Sequence, residues 1–135
     1  MNAGYSAARL VSKLTLKDGQ RVWWSGMPVS VEAEIAGARL DLRRLDTPDP
    51  PIDAAHVFVT RLAELQAAIE LLRPRLAPAG FLWVSWPKKR SATPTEVTEG
   101  DIRRVALPMG LVDIKVWAVD DTWSGLKLVI RRALR

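Results

Sequence analysis

A group of basic residues directly follows an apolar segment near the middle of the chain. The segment FLWVSW (81–86) is predicted to be a buried strand, and Lys88, Lys89 and Arg90 come just after it. Because ligands of open parallel sheets bind beyond the carboxyl ends of the strands, these cations would emerge where a ligand binds. Lysine ammonium groups attract phosphates and carboxylates as point charges. The pattern therefore predicts a site for a small anionic ligand, with a protein partner as the alternative.

Further residues are predicted to reach the same edge of the sheet. Some follow the strands RVWWS and AAHVFVT, and others lie in the turn DDTWSG between the last two strands. The candidate ligand-binding residues are Gly26, Met27, Thr60, Trp86, Lys88, Lys89, Asp121, Trp123 and Ser124.

Each candidate also has a purely structural interpretation. Lys88 and Lys89 would form surface ion pairs with Asp120 and Asp121, which the sequence slightly favours over ligand binding; such pairs contribute about 0–1 kcal/mol. Thr60 carries the hydroxyl of a helix cap. Tryptophans at strand ends cover sheet edges as readily as they stack on a ligand.

Several classes of chemistry are excluded by composition. The chain has no cysteine, so disulfides, thiolate metal sites and cysteine nucleophiles are absent, which suits a reducing cytoplasm. His56 is the one histidine, and we therefore predict neither a metal site nor a Ser-His-Asp arrangement. There is no G-x-S-x-G elbow and no P-loop. No catalytic residue is assigned, and no segment reaches the length of a membrane span.

The excess of positive charge is confined to two runs. The chain has 20 lysines and arginines against 15 acidic residues. Three of the basic residues lie in 88–90 and three in the C-terminal arginines Arg131, Arg132 and Arg135; without these six the count is 14 against 15. A neutral body argues against a nucleic-acid-binding surface, and the two runs leave weak nucleic-acid binding as a third hypothesis.

The apolar periodicity predicts an α/β architecture. Helices are predicted at 6–14, at 29–36 as one or two turns, between Thr60 and Pro74, and from Thr98, where Thr98 and Asp101 match a capping box. Strands are predicted at 21–25, 38–45, 54–60 and 81–86, followed by a hairpin of 111–119, an edge strand, and 125–132. We expect a single three-layer domain over residues 1–135, with a Rossmann-like, mostly parallel sheet and a C-terminal antiparallel hairpin.

Three stretches of the chain resemble a known group of proteins. LKDGQRV, LAPAGFLWVSWPKK and GLVDIKVWAVDDTWSGLKLV resemble a bacterial family of small proteins, classed as a domain of unknown function, that is similar to class I S-adenosylmethionine-dependent methyltransferases. The resemblance covers nearly the whole chain. It implies a sheet whose last strand is inserted between its predecessor and the other strands, and it implies no activity.

The loop after the first strand departs from a working methyltransferase. It reads Ser-Gly-Met-Pro-Val at 25–29, with one glycine where close approach of the cofactor requires a glycine-rich loop. The helix after it is short, no acid is cleanly placed at the end of the second strand, and one strand–helix unit is missing. We therefore expect a cytoplasmic, non-catalytic binding or regulatory domain without a cofactor. A methyltransferase with an atypical S-adenosylmethionine site is the alternative, and the oligomeric state is undecided.

Overall fold

Six strands and four α-helices make up the computed structural model, which describes residues 3–135 and side chains from Ser6 onward. The helices are α1 (Ala3–Lys13), α2 (Val29–Gly37), α3 (Leu62–Leu72) and α4 (Glu99–Ala106). The strands are β1 (Arg21–Ser25), β2 (Arg43–Arg44), β3 (Ile52–Phe58), β4 (Leu76–Pro87), β5 (Leu111–Ala118) and β6 (Trp123–Ile130). None of the helices in this part of the chain is long and apolar enough to cross a membrane.

The strands form one mixed sheet in the order β2-β1-β3-β4-β6-β5. Neighbouring strands from β2 to β4 are parallel, and β6 is antiparallel to both β4 and β5. The final strand thus lies between β4 and β5, as the resemblance implies, and β5 is an edge strand. The expected α/β class, with a mostly parallel sheet and a C-terminal hairpin, is confirmed.

Two hydrophobic cores cover the two faces of the sheet. On one face α1 and α2 pack together over residues that include Val22, Phe58 and Trp83. On the other face α3 and α4 cover Val57, Leu82 and their neighbours. Successive residues of a strand point to opposite faces, so a strand buried on both sides must be apolar almost throughout. This requirement explains why the segment 81–86 of β4 is apolar except for Ser85.

The segment 38–45 is far less regular than its alternating pattern suggests. Only Arg43 and Arg44 pair with β1, so the prediction of a strand over the whole segment is wrong. Arg39 has a positive φ of 56° directly after α2. Leu40 and Leu42 pack on the core beneath α2 without entering the sheet. The alternation therefore reflects burial of loop side chains.

The start of α3 corrects the cap predicted at Thr60. Arg61 is the residue that precedes the helix, and the carboxylate of Glu64 caps it. Glu64 Oε1 accepts the backbone N–H of Thr60 at 3.0 Å and that of Arg61 at 3.1 Å. Both hydrogen bonds lower the pKa of Glu64, and the bond from the Thr60 backbone has the larger effect. The capping side chain thus lies inside the helix, three residues after the N-cap position.

Candidate functional site

The carboxyl end of β4 and the turn of the β5–β6 hairpin lie side by side. Trp86 is paired with Ser124 in the register of β4 and β6. The backbone N–H of Lys88 donates to the carbonyl oxygen of Thr122 at 2.8 Å, which ties the segment after β4 to the turn. Asp120 closes the turn, since its Oδ1 accepts the N–H groups of Thr122 and Trp123 at 2.9 and 2.8 Å.

A cleft of about 520 Å³ opens at this junction. Five of its six lining residues are sequence-predicted candidates, and the sixth is Arg90, which the basic run after the strand already signalled. The lining residues are Trp86, Lys88, Lys89, Arg90, Asp121 and Ser124. The structure therefore brings together the part of the predicted site that surrounds the end of β4.

The cations of this cleft are free of ion pairs within residues 3–135. No nitrogen of Lys88, Lys89 or Arg90 lies within 4.0 Å of a carboxylate oxygen. The prediction that Lys88 and Lys89 form surface ion pairs with Asp120 and Asp121 is therefore wrong. Asp120 instead turns its carboxylate back onto the hairpin backbone, and Asp121 is exposed to solvent. Three cations and one acid leave the cleft with excess positive charge.

Two neutral groups in the cleft are free to bind a ligand. Neither the Ser124 hydroxyl nor the Trp86 indole N–H forms a hydrogen bond with any group that the structure describes. No side-chain nitrogen or oxygen buried from solvent lacks a partner in that part of the chain, so the indole N–H must reach solvent although Trp86 is 9% exposed. The cleft thus offers the Ser124 hydroxyl next to its cations, and the Trp86 indole N–H is accessible to solvent.

The cleft continues toward the first turn of α4. A second cavity of about 460 Å³ shares Trp86 and Lys89 with the first and reaches Thr98 and Glu99. Thr98 and Asp101 form the capping box that the sequence predicts: Thr98 Oγ1 accepts the Asp101 N–H at 3.2 Å, and Asp101 Oδ2 accepts the Thr98 N–H at 2.9 Å. This second bond lowers the pKa of Asp101. The second cavity therefore extends the cleft from the end of β4 to the first turn of α4, where the Glu99 carboxylate is ion-paired with Arg103.

The other candidates lie away from this cleft. Thr60 is covered by the segment 94–97, because its carbonyl oxygen accepts the N–H of Glu96 at 2.9 Å. Trp123 lies edge-on to the ring of Phe58, with centroids 5.0 Å apart, on the sheet face that α1 and α2 cover. Met27 packs partly buried on the same core.

The backbone of β3 packs closely against Gly26. Its φ is 71°, and a Cβ at this position would lie 2.9 Å from the carbonyl oxygen of Phe58. A side chain is therefore excluded by the neighbouring strand β3. The glycine serves the packing of the loop after β1 onto that strand.

The other elements of a methyltransferase-type cofactor site are also altered. The helix α2 follows Pro28, which has no side-chain hydrogen bond to the first turn, and Val29 is 82% exposed there. The strand β2 ends in Arg44, where such sites require an acid for the ribose hydroxyls. The guanidinium of Arg44 is ion-paired with Glu32 and lies 5.8 Å from the ring centroid of Trp24.

A comparison of the sequence with protein-family models and with curated protein sequences gave no match. Comparison with solved structures gave matches over almost the whole chain. A methyltransferase of Aquifex aeolicus that depends on S-adenosylmethionine aligns with a TM-score of 0.66 and 13% identity, over 92% of this chain and 89% of that one. The chain has a methyltransferase-like fold.

Two further structures of this fold show the same likeness. A TehB-like methyltransferase of Corynebacterium glutamicum has a TM-score of 0.58 and 11% identity, over 93% of this chain and 88% of that one. The magnesium protoporphyrin IX methyltransferase of Synechocystis, solved with bound S-adenosylmethionine, has a TM-score of 0.58 and 14% identity, over 95% and 77%. At these identities the likeness establishes the architecture alone.

Proposed function

We propose that the chain is a ligand-binding or regulatory domain on a truncated methyltransferase-like scaffold, and that it binds a small anionic ligand in the cleft beside β4. The observation that supports this proposal is the convergence of three cations without ion pairs on one cleft, at the sheet edge where ligands of such folds bind. An ammonium or guanidinium group without a protein counterion is available to a phosphate or carboxylate.

The arrangement of the cleft favours a ligand with both an anionic group and a ring. Lys88 and Lys89 supply charge, the Ser124 hydroxyl supplies a neutral donor, and the indole of Trp86 forms an apolar wall. Phosphorylated or carboxylated metabolites with an aromatic or heterocyclic ring match this combination. Asp121 at the rim disfavours highly charged anions, because its carboxylate faces the same space.

The residues around the loop after β1 do not fit S-adenosylmethionine. Gly26 is the one glycine of that loop and packs against the Phe58 carbonyl, and the strand β2, Arg43–Arg44, carries no acid for the ribose hydroxyls. We therefore propose that binding at the β4 cleft does not involve that cofactor.

A thermal-shift screen followed by calorimetry tests the proposal. The screen would contain inorganic phosphate, nucleoside monophosphates, aromatic carboxylates, S-adenosylmethionine and S-adenosylhomocysteine. We expect the anion that raises the unfolding midpoint most to lose about tenfold in affinity in Lys88→Gln and in Lys89→Gln, which corresponds to loss of one charge-assisted contact.

The matched control is Arg9→Gln. Arg9 is an exposed cation of α1 without an ion pair among the described residues, so the control removes the same charge far from the cleft. Its affinity should change less than about twofold. The proposal would be abandoned if no anion stabilised the protein, or if Arg9→Gln weakened binding as much as the lysine variants.

The structural likeness favours a second candidate function, methyl transfer from S-adenosylmethionine. All three structures described above are methyltransferases by name. Calorimetry with S-adenosylmethionine decides between the candidates: micromolar binding that survives Lys88→Gln would support the methyltransferase and contradict a site that excludes the cofactor. Absence of binding at millimolar S-adenosylmethionine would rule out methyl transfer as the function.

A further inference from the structure

Four lysines gather on the sheet face that α1 and α2 cover, away from the β4 cleft. Lys115 of β5 and Lys127 of β6 are directly paired in the strand register. Both belong to the set of positions that face α1, since their neighbours Trp117 and Val129 pack on that core. Two like charges directly opposite each other destabilise a pair of strands.

The other two lysines are Lys13, at the end of α1, and Lys17, which follows in the next loop and whose charge acts on Lys127. The indole N–H of Trp83 donates to the carbonyl oxygen of Leu14 at 3.0 Å, and Trp83 is the register partner of Lys127 on β4. This contact fixes the end of α1 beside the hairpin. Lys13 accordingly lies 5.9 Å from the ring centroid of Trp117. We call Lys13, Lys17, Lys115 and Lys127 the lysine patch.

No carboxylate neutralises the lysine patch in the described part of the chain. The four ion pairs of residues 3–135 all use arginines: Arg44, Arg103 twice, and Arg104. Partial burial, followed by the charges of Lys115 and Lys17, lowers the pKa of Lys127. Folding therefore concentrates positive charge on a body that is neutral by count, and it does so at an energetic cost.

Aromatic rings hold two of these ammonium groups in place. Lys127 Nζ lies 4.4 Å from the ring centroid of Phe81, within the range of a cation–π contact. Lys13 lies similarly over Trp117, whose indole is only partly buried. Cations positioned before a ligand arrives lose less conformational entropy on binding. A half-exposed indole among them also offers a surface on which a base can stack.

We propose that the lysine patch binds the phosphate backbone of single-stranded nucleic acid. Lys17 and Lys115 are exposed, Lys13 and Lys127 are half-buried, and neither cavity at the β4 cleft includes these residues, which favours an extended polyanion over an enclosed small molecule. Lysines that track a backbone beside an aromatic side chain are the usual means of binding single strands without sequence preference. This inference is independent of the proposed anion site.

Fluorescence anisotropy with a labelled oligothymidylate of about 12 nucleotides tests the inference. The logarithm of the affinity should fall linearly with the logarithm of the salt concentration between about 50 and 200 mM KCl. The double variant Lys115→Gln with Lys127→Gln should bind about tenfold more weakly. Its salt slope should be smaller by about 1.4, the value for two lost phosphate contacts on a single strand.

The charge-matched control is Arg39→Gln with Arg43→Gln. Both arginines are exposed, lie in or near β2 at the opposite edge of the sheet from β5, and form no ion pair in the described residues, so this variant also loses two charges. Its affinity should change less than about twofold. Equal losses in the two double variants would show a net-charge effect and overturn the inference, as would an unchanged affinity in the lysine variant.

Two further measurements complete the design. The lysine variant should have an unfolding midpoint at least as high as the wild type, because it removes a repulsive pair, and a lower midpoint with weaker binding would point to misfolding and count against the inference. Tripolyphosphate at the same phosphate concentration should compete poorly with the oligonucleotide. Equal competition would identify a small polyphosphate as the ligand and overturn the assignment to nucleic acid.

Discussion

At the scale of single residues, the buried pair of His56 and Ser85 has the clearest physical consequence. The two side chains are 2% and 0% exposed, and His56 Nε2 lies 2.6 Å from Ser85 Oγ. The imidazole also stacks on the ring of Phe58, with centroids 4.4 Å apart. Burial lowers the pKa of His56 to about 3. The folded protein therefore holds this imidazole in its neutral form.

We predict that His56 makes the protein less stable as the pH falls below about 6.5. The unfolded chain binds a proton near pH 6.5, whereas the folded chain does so near pH 3, so the unfolded state binds more protons between these values. The contribution is fully present above pH 6.5 and is lost on acidification. Urea unfolding should show a loss of about 2 kcal/mol between pH 6.5 and 5.

The double variant His56→Phe with Ser85→Ala serves as the control for this titration. It removes the titrating group and its partner together, so no polar group is left unpaired in the core. Its unfolding free energy should be nearly flat between pH 5 and 6.5, where Glu64 and Asp101, whose pKa values are lowered, stay ionised. A wild-type slope that persisted in the variant would contradict the prediction.

The loop after β1 gives a second prediction at this scale. Gly26→Ala should destabilise the fold by about 1–3 kcal/mol, because it places a Cβ against the Phe58 carbonyl in a left-handed backbone conformation. Gly100→Ala is the matched control, since its Cβ would meet nothing closer than Thr98 Oγ1 at 3.8 Å. A helical alanine there should leave stability unchanged or raise it by up to about 1 kcal/mol. Chemical denaturation measures both, and equal effects would refute the argument.

At the scale of elements, α4 depends on its reciprocal cap. Thr98→Ala should lower the unfolding free energy by about 1 kcal/mol, because the Asp101 N–H loses its acceptor. Thr98→Ser keeps the hydroxyl and should retain most of that free energy. The comparison is made by urea denaturation of the two variants. If serine were as destabilising as alanine, the methyl group of Thr98 and not its hydroxyl would be responsible.

The elements that the sequence predicts well are those fixed by short-range patterns. The box of Thr98 and Asp101 spans four positions and needs no tertiary information, and the DDTWS connection allows only an antiparallel hairpin. The segment 38–45 depends instead on whether β1 offers it a hydrogen-bonding edge, and just two residues pair there. The cap predicted at Thr60 is wrong because the carboxylates of Glu64 and Glu96 accept the backbone N–H groups at the start of α3, and Glu96 comes from a distant part of the chain.

At the scale of the whole molecule, strand order determines what could be foreseen of the candidate site. The hairpin turn joins the end of β4 because β6 lies beside β4, and that order follows from the resemblance. The sequence does not predict that Asp120 leaves the lysines unpaired, because this depends on the direction of its carboxylate within the turn. The sequence does not predict the lysine patch either, because a charge count along the chain does not show on which face of the sheet each lysine lies.

The charge distribution leads to a prediction for the whole molecule. Raising KCl from about 50 to 500 mM should raise the thermal unfolding midpoint by about 2–4 °C, because salt screens repulsion among unpaired cations. The variant Lys115→Gln with Lys127→Gln should show a smaller rise, since a pair of directly opposed lysines is gone. Differential scanning fluorimetry measures both proteins. A rise of the same size in the two would place the repulsion elsewhere.

The position of β6 between β4 and β5 also constrains the order of assembly during synthesis. β5 leaves the ribosome before β6, yet β6 is the strand through which β5 joins the sheet in the described chain. Until β6 is made, β4 presents an open edge and β5 has no place to dock. The short turn allows the two strands to zip up locally in microseconds and then add to β4 as one unit. The sheet is therefore expected to be completed only after β6 has been made.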